Sequence, residues 1–294
     1  MPGCAPSWSE LVSGGGDYTC ALDDEQRLRC WGNPYILTGY DYEPAGIPHD
    51  LDASVHHLCG LDSDDHAWCR SQPFSFNLIQ DNFDERPVLD TLCTGLNFIC
   101  GIESGRTSVV CWGHGEEASG WLSAPAGSFE QLSCGLYHAC ALDEAGRPSC
   151  WDPTGALGGS IDYLGQLEAP DGPFLSLDAG VTHTCGIRTD GVVHCWGGYG
   201  HDFGVDAPGF RFEAVRAGFV DTCGLRTRDR VACWGAGDGS GTEWDFGQAR
   251  PPDEKFVEVA VGRAHACGLT KHDELICWGD NTYGQLDIPS WWDR

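Results

Sequence analysis

The sequence predicts an all-β repeat protein, on three observations. Gly is abundant, at 41 of 294 residues, and Met occurs once; this mix suits turn-rich sheet, because Gly is costly inside helices. Fourteen of the 17 cysteines fall into seven pairs: Cys20 with Cys30, Cys59 with Cys69, Cys100 with Cys111, Cys140 with Cys150, Cys185 with Cys195, Cys223 with Cys233 and Cys267 with Cys277. Successive first cysteines lie 39, 41, 40, 45, 38 and 44 residues apart. A period of about 42 residues is the length of a propeller blade or a similar repeat unit.

Each pair predicts a hairpin. In "CGIRTDGVVHCWG", Cys185 to Gly197, the "TDG" is a tight-turn signal between two apolar-alternating arms. Folding about that turn sets Ile187 against Val193 and Cys185 against Cys195. Cross-strand Cβ atoms lie about 4.5–5.5 Å apart, near the span a disulfide needs. The pair at Cys100 and Cys111 is spaced by one residue more, which the longer turn "ESGRTS" absorbs. Zinc is the rival reading, but knuckle cysteines sit two to four apart and the chain has no C-x-x-C. Each bridge closes a loop worth roughly 3 kcal/mol in the chain-entropy model. Seven of them imply an oxidising compartment: extracellular, periplasmic or cell surface.

The flanks recur with the cysteines. A small residue (Ala21, Gly60, Gly101, Ala141, Gly186, Gly224, Gly268) follows each first cysteine, then Leu or Ile. Trp follows the second cysteine in six copies, as Trp31, Trp112, Trp151, Trp196, Trp234 and Trp278, with Arg70 the departure. Strand alternation puts each first cysteine and the Leu or Ile on one face, and the small residue and the Trp on the other. Neighbouring units stacked in a ring would then share a core.

Charge narrows the partners. Lys and Arg total 17 against 44 Asp and Glu, a formal charge of −27. A nucleic-acid binder needs a cationic footprint, and anionic membranes would be repelled. No run of 18 apolar residues suggests membrane insertion. The opening "MPGCAPSWSE" has neither a charged n-region nor an apolar core, so it reads as a mature or truncated chain with an added methionine.

The unit "G-x-x-H-x-C-x-L-x-x-D-G-x-V-x-C-W-G-x-N-x-x-G-Q-L" resembles the repeat of the regulator of chromosome condensation family. "AGVTHTCGIRTDGVVHCWG" and "VGRAHACGLTKHDELICWGDNTYGQL" carry the likeness, which runs from about Trp8 to Leu286. It implies a seven-bladed β-propeller with one intrablade disulfide per blade, a single domain over residues 1–294. Repeat cores fall near 20–32, 59–71, 100–113, 140–152, 185–197, 223–235 and 267–279. The family also implies four-stranded blades. Closure should bring "WSELVSG" and "DIPSWW" into one blade. The disulfide-laced version looks like the secreted bacterial branch. Two departures stand out: "N-x-x-G-Q-L" is intact once, at Asn281 to Leu286, and the unit of Cys59 and Cys69 lacks its Trp and Gly.

Candidate sites follow from where the copies disagree. Two residues before the first cysteine stands His57, His138, His183 or His265, with Tyr18, Phe98 and Asp221 elsewhere; an imidazole bonded to a neighbouring backbone is the expected role. Acidic clusters (Asp23 to Glu25, Asp62 to Asp65, Asp81 to Glu85) match no calcium loop, and no catalytic, phosphate or dinucleotide motif occurs, so no metal, cofactor or enzymatic activity is implied, and a hydrolase or lyase with an axial-funnel site is an alternative for which no motif speaks. Cys93 and Cys134 hold nearly equivalent positions in adjacent units and could pair, leaving Cys4. The long connections carry Tyr35, Tyr40, Tyr42, Tyr199, Phe203, Trp244 and Phe246 beside acidic residues, where binding by a rigid scaffold usually resides. The expected function is an extracellular or cell-surface protein-binding scaffold using loops on one face. Secreted beta-lactamase inhibitor proteins that resemble the family work this way. Glycan binding or surface assembly, through Cys4 or the terminal "PSWWDR", is the alternative.

Overall fold

The computed structural model describes residues 11–13, 16–23, 27–33, 48–71, 87–113, 121–154, 164–198, 205–237, 239 and 244–292. They form seven antiparallel sheets, the blades. Blade 1 is β1 (Leu11–Ser13), β2 (Tyr18–Leu22) and β3 (Leu28–Gly32); blade 2 is β4 (His49–Ala53), β5 (His57–Leu61) and β6 (Ala67–Ser71). Blade 3 is β7 (Leu89–Thr94), β8 (Phe98–Glu103), β9 (Val109–Gly113) and β10 (Trp121–Leu122). Blade 4 is β11 (Gln131–Cys134), β12 (Ala139–Leu142) and β13 (Pro148–Trp151); blade 5 is β14 (Phe174–Ala179), β15 (His183–Arg188) and β16 (Val193–Gly197). Blade 6 is β17 (Phe212–Ala217), β18 (Asp221–Arg226) and β19 (Arg230–Gly235); blade 7 is β20 (Phe256–Val261), β21 (His265–Thr270) and β22 (Leu275–Gly279). Blade 3 alone has a fourth strand among the described residues, where the family likeness implies four throughout.

The cysteine hairpins are the middle and outer strands of each blade. Cys20 faces Cys30, Cys59 faces Cys69, Cys100 faces Cys111 and Cys140 faces Cys150. Cys185 faces Cys195, Cys223 faces Cys233 and Cys267 faces Cys277. Each of the seven pairs is bridged, at a Cα separation of 4.0–4.1 Å. The two ends of a bridge differ in depth. Every first cysteine is fully buried in a middle strand, whereas Cys30, Cys69, Cys150, Cys195, Cys233 and Cys277 are only partly buried in the outer one. Cys111 is the exception, because β10 covers it by pairing Leu122 opposite. An eighth bridge joins Cys93 of blade 3 to Cys134 of blade 4.

Apolar clusters fill the seams between consecutive blades. Cys185, Ile187 and Val193 of blade 5 pack with Phe212, Val215 and Trp234 of blade 6, and the same arrangement recurs around the ring. The repeated Trp therefore seals its blade against the preceding one. The small residue after the first cysteine has a local cause. A Cβ on Gly186 would meet the ring of Phe174, in its own blade, at 2.5 Å. Blade 2 solves its missing Trp by displacement. Trp68 lies two residues before Arg70, which keeps it on the same face of β6, and it is buried against Tyr18 and Leu58.

The ring closes between blades 7 and 1. β1 pairs with β2 and lies beside β20 and β21. The C-terminal segment closes the outside as a loop and a 3₁₀ turn (Ser290–Trp292) rather than a strand. Trp292 is buried against blade 7, its indole N–H donating to the Asp273 carbonyl at 3.1 Å. The tail expected as a docking element thus spends this indole inside the molecule.

Candidate functional site

Each inner strand ends in a turn that leads to the residue two before the first cysteine, and these side chains latch the seams. Nε2 of His138, His183 and His265 lies 2.8–2.9 Å from the hydroxyl of Thr184, Thr222 and Thr19 in the next blade. His57 instead meets the Leu96 carbonyl at 2.9 Å, and the Tyr18 hydroxyl bonds the Ser54 and His57 carbonyls. The backbone role expected for the histidines therefore holds for His57, while three of the four use a threonine. Burial pulls the His138 imidazole down to about 3 and those of His57, His183 and His265 to about 4. Neutral imidazoles suit seams, not acid–base work at neutral pH. In blade 6 Asp221 takes the place of His and faces no hydroxyl, because the next blade carries Ala266 where the three His–Thr seams carry Thr19, Thr184 and Thr222. Both Asp221 carboxyl oxygens are buried without a hydrogen-bond partner, and burial pushes its pKa well above the usual carboxylate range.

The inner strands enclose an axial cavity of about 360 Å³. Its wall is stitched from blade to blade by side chains that accept the next strand's N–H. Asp50 takes Leu92 and Asp52 takes Thr94, both at 2.6 Å; Ser133 takes Ala179 at 2.9 Å and Asp178 takes Ala217 at 2.7 Å. Cys93 occupies the position of Asp52, Ser133 and Asp178, and its disulfide to Cys134 replaces the stitch between blades 3 and 4. Burial raises Asp52 to about 7 against the Thr94 N–H, with Asp178 adding repulsion. Burial also raises Asp50 and Asp178, and Arg216 opposes the shift at Asp178. These carboxylates are wall fasteners.

The loop aromatics stand elsewhere. Tyr35, Tyr40, Tyr42, Tyr199 and Phe203 lie outside the described residues. Trp244 and Phe246 are described, on the end of the propeller where inner strands turn into middle ones. Gln248, fully buried, organises their loop: its Nε2 donates to the Trp244 carbonyl at 2.7 Å and its Oε1 accepts the Phe246 N–H at 3.0 Å. Its own carbonyl receives the Trp278 indole N–H at 2.8 Å, which pins the loop to blade 7. Trp244 packs on Phe219 with ring centroids 5.5 Å apart, and the Arg263 guanidinium sits 5.4–5.5 Å from both rings while pairing with Asp17 at 3.5 Å. Phe246 is 43% exposed.

The same clamp recurs twice. Gln166 and Gln285 are fully buried, accept the N–H of Leu164 and Tyr283, and receive the indole N–H of Trp196 and Trp31 on their carbonyls. Leu164, Phe246 and Tyr283 are thus equivalent, each two residues before a clamping Gln. Tyr283, 46% exposed, belongs to this rim and is the residue that sequence reasoning misses. Its signal is present as "LGQ", "FGQ" and "YGQ", and is hidden when the longer motif is required whole.

Residues 256–285, from β20 through the Gln285 loop, match the family model described as Regulator of chromosome condensation (RCC1) repeat. That stretch carries the RCC1 repeat. Solved propellers agree with the architecture of the chain. The entire ectodomain of the Physcomitrella patens receptor kinase CR4 aligns with a TM-score of 0.71 at 23% identity, over 93% of this chain and 73% of that one. The CRINKLY WD40 ectodomain of the Arabidopsis thaliana receptor kinase ACR4 aligns at 0.69 and 22%, over 96% and 98%. Yeast RCC1 (Prp20), solved bound to Kap60, aligns at 0.65 and 14%, over 99% and 86%. At these identities the likeness concerns the fold.

Proposed function

We propose that this RCC1-repeat propeller is an exported protein-binding scaffold whose partner docks on the rim carrying Phe219, Trp244, Phe246 and Tyr283. The observation that carries this reading is the clamp. Buried glutamines fix loops that hold Phe246 and Tyr283 half-exposed at equivalent places, on a frame laced by disulfides. Rigid, pre-positioned aromatics are the usual anchors of protein interfaces, since little conformational entropy is lost on docking. One structural neighbour, seen in two structures, supports a binding role by analogy: yeast RCC1 (Prp20) was solved bound to Kap60, and Prp20p is described with binding to Gsp1p and histones. The disulfide set and the two receptor ectodomains support an oxidising location outside the cytoplasm.

The test is capture of proteins from surface and periplasmic extracts on the immobilised, oxidised chain, compared with the double variant Phe246→Ala with Tyr283→Ala. A protein retained by the parent and lost by the variant, with thermal stability unchanged, supports the rim. Saturable retention of polysaccharide with no protein contradicts it and favours the glycan alternative, for which exposed rings are also suited.

A further inference from the structure

The opposite end of the propeller, where the cysteine hairpins turn, has an unusual charge map for a chain of net charge −27. Most hairpin tips are acidic or carry Gly: Asp62 to Asp65, Asp143-Glu144, Asp190-Gly191, Asp273-Glu274. The blade 6 tip reads Arg226-Thr227-Arg228-Asp229-Arg230, with Arg211 and Lys255 on the segments either side.

This tip is built against its own stability. Arg226 and Arg230 are directly opposite across the hairpin, a like-charge pair. Arg228 and Asp229 hold φ values of 89° and 63°, so two successive non-Gly residues occupy the left-handed region. Asp65, Thr107 and Asp273 share the left-handed φ of Asp229 at their own tips, so Arg228 is the residue that sets this tip apart. Neighbours neutralise part of the charge: Arg230 pairs with Asp253, and Lys255 with Asp229 at 3.6 Å. Arg211, Arg226 and Arg228 have no carboxylate within ion-pair distance among the described residues. Arg226 lies instead 3.7 Å over the ring of Phe210, itself 41% exposed. Exposed apolar side chains stand on the inner strands of the neighbouring blades. Leu175 and Val257, 63% and 48% exposed, stand one residue into β14 and β20, where blades 3 and 6 have Asp90 and Glu213.

We propose that the hairpin end of blades 5–7 is a second docking surface, for an acidic protein segment that also carries apolar side chains. Charge complementarity selects acid: Arg211, Arg226 and Arg228 stand together at the blade 6 tip, without ion pairs among the described residues, on an otherwise anionic molecule. Phe210, Leu175 and Val257 select a polypeptide, since a sulfated polysaccharide or a lipid headgroup has no apolar side chains to set on them. Strained, like-charged residues at one tip are accounted for by a function that uses them. This surface lies at the opposite end from the Phe246 rim, so either can fail without the other.

The test uses the oxidised full chain and a labelled synthetic peptide rich in Glu with interspersed Leu, followed by fluorescence anisotropy. Saturable binding is expected, weakened roughly tenfold or more by Arg226→Glu with Arg228→Glu and severalfold by Phe210→Ala, and unchanged by Phe246→Ala with Tyr283→Ala. Arg228→Gly guards against misfolding as an explanation: it relieves the left-handed backbone, so melting temperature should rise while affinity falls. Dextran sulfate and phosphatidylserine vesicles are the comparison ligands. Absence of saturable peptide binding, equal affinity of the Arg and Phe210 variants, or dextran sulfate or vesicle binding as tight as the peptide's and indifferent to Phe210→Ala would each overturn the proposal.

Discussion

Rebuilding the missing latch between blades 6 and 7 should stabilise the protein. Asp221→His with Ala266→Thr would reproduce the His183–Thr222 pair, which spans 2.9 Å one seam earlier. In the native seam both Asp221 oxygens are buried and unpartnered, a state that costs about 1–3 kcal/mol. Removing it and adding one hydrogen bond worth about 1 kcal/mol gives a gain of about 2–4 kcal/mol. At about 2 °C per kcal/mol for a chain this long, the melting temperature should rise by about 4–8 °C. The pH dependence gives a second signature. The folded pKa of Asp221 is raised above 3.8, so its favourable contribution is complete below that value and is lost as pH rises. The advantage of the variant should therefore be largest near pH 8. At pH 5 it should shrink, because lowering the pH restores part of the stability that the buried Asp221 carboxylate costs and a buried imidazole is penalised below 6.5. Calorimetry at both values measures this, with each single substitution completing a double-mutant cycle. A variant no more stable than the parent at pH 8, or a gain independent of pH, would refute the His–Thr latch as a stabilising contact of the seams that carry it.

Thr184→Val removes the hydroxyl that meets His138 while nearly keeping its shape, and should cost about 1–2 kcal/mol in guanidinium unfolding. Of the 11 histidines, His57, His138, His183 and His265 should show imidazole NMR signals that do not titrate until pH approaches 4. Their folded values lie below 6.5, so the stability they contribute is present above 6.5 and is lost as pH falls toward 4. Gln248→Ala should free the loop holding Trp244 and Phe246, seen as faster proteolysis between 244 and 250 and weaker partner capture with little change in the blades.

What is legible in the sequence is what repeats along a strand or about a turn. Alternation places each cysteine opposite its partner and each Trp on the far face, because side chains two apart share a face whatever the neighbouring blade contributes. Contacts across seams have no such local signature. His183 and Thr222 are 39 residues apart, and Cys93 and Cys134 are 41 apart, one register step out of equivalence. Trp68 shows the limit from another side: counting from the cysteine makes it a loss, whereas its face shows a displacement. The rim is half legible. Trp244 and Phe246 stand out as loop aromatics, but Tyr283 becomes visible only through Gln285, whose side chain turns back on its own loop.

Disulfide mapping tests the central claim most directly. The eight bridges use sixteen of the 17 cysteines and leave Cys4. Alkylation of the native chain before reduction, followed by mass spectrometry of its peptides, should label Cys4 at most. Seven linkages should join cysteines ten or eleven residues apart, among them Cys20 to Cys30, Cys59 to Cys69, Cys140 to Cys150 and Cys223 to Cys233. The eighth should join Cys93 to Cys134. Several alkylated hairpin cysteines, or linkages between different hairpins, would contradict an oxidised propeller laced blade by blade.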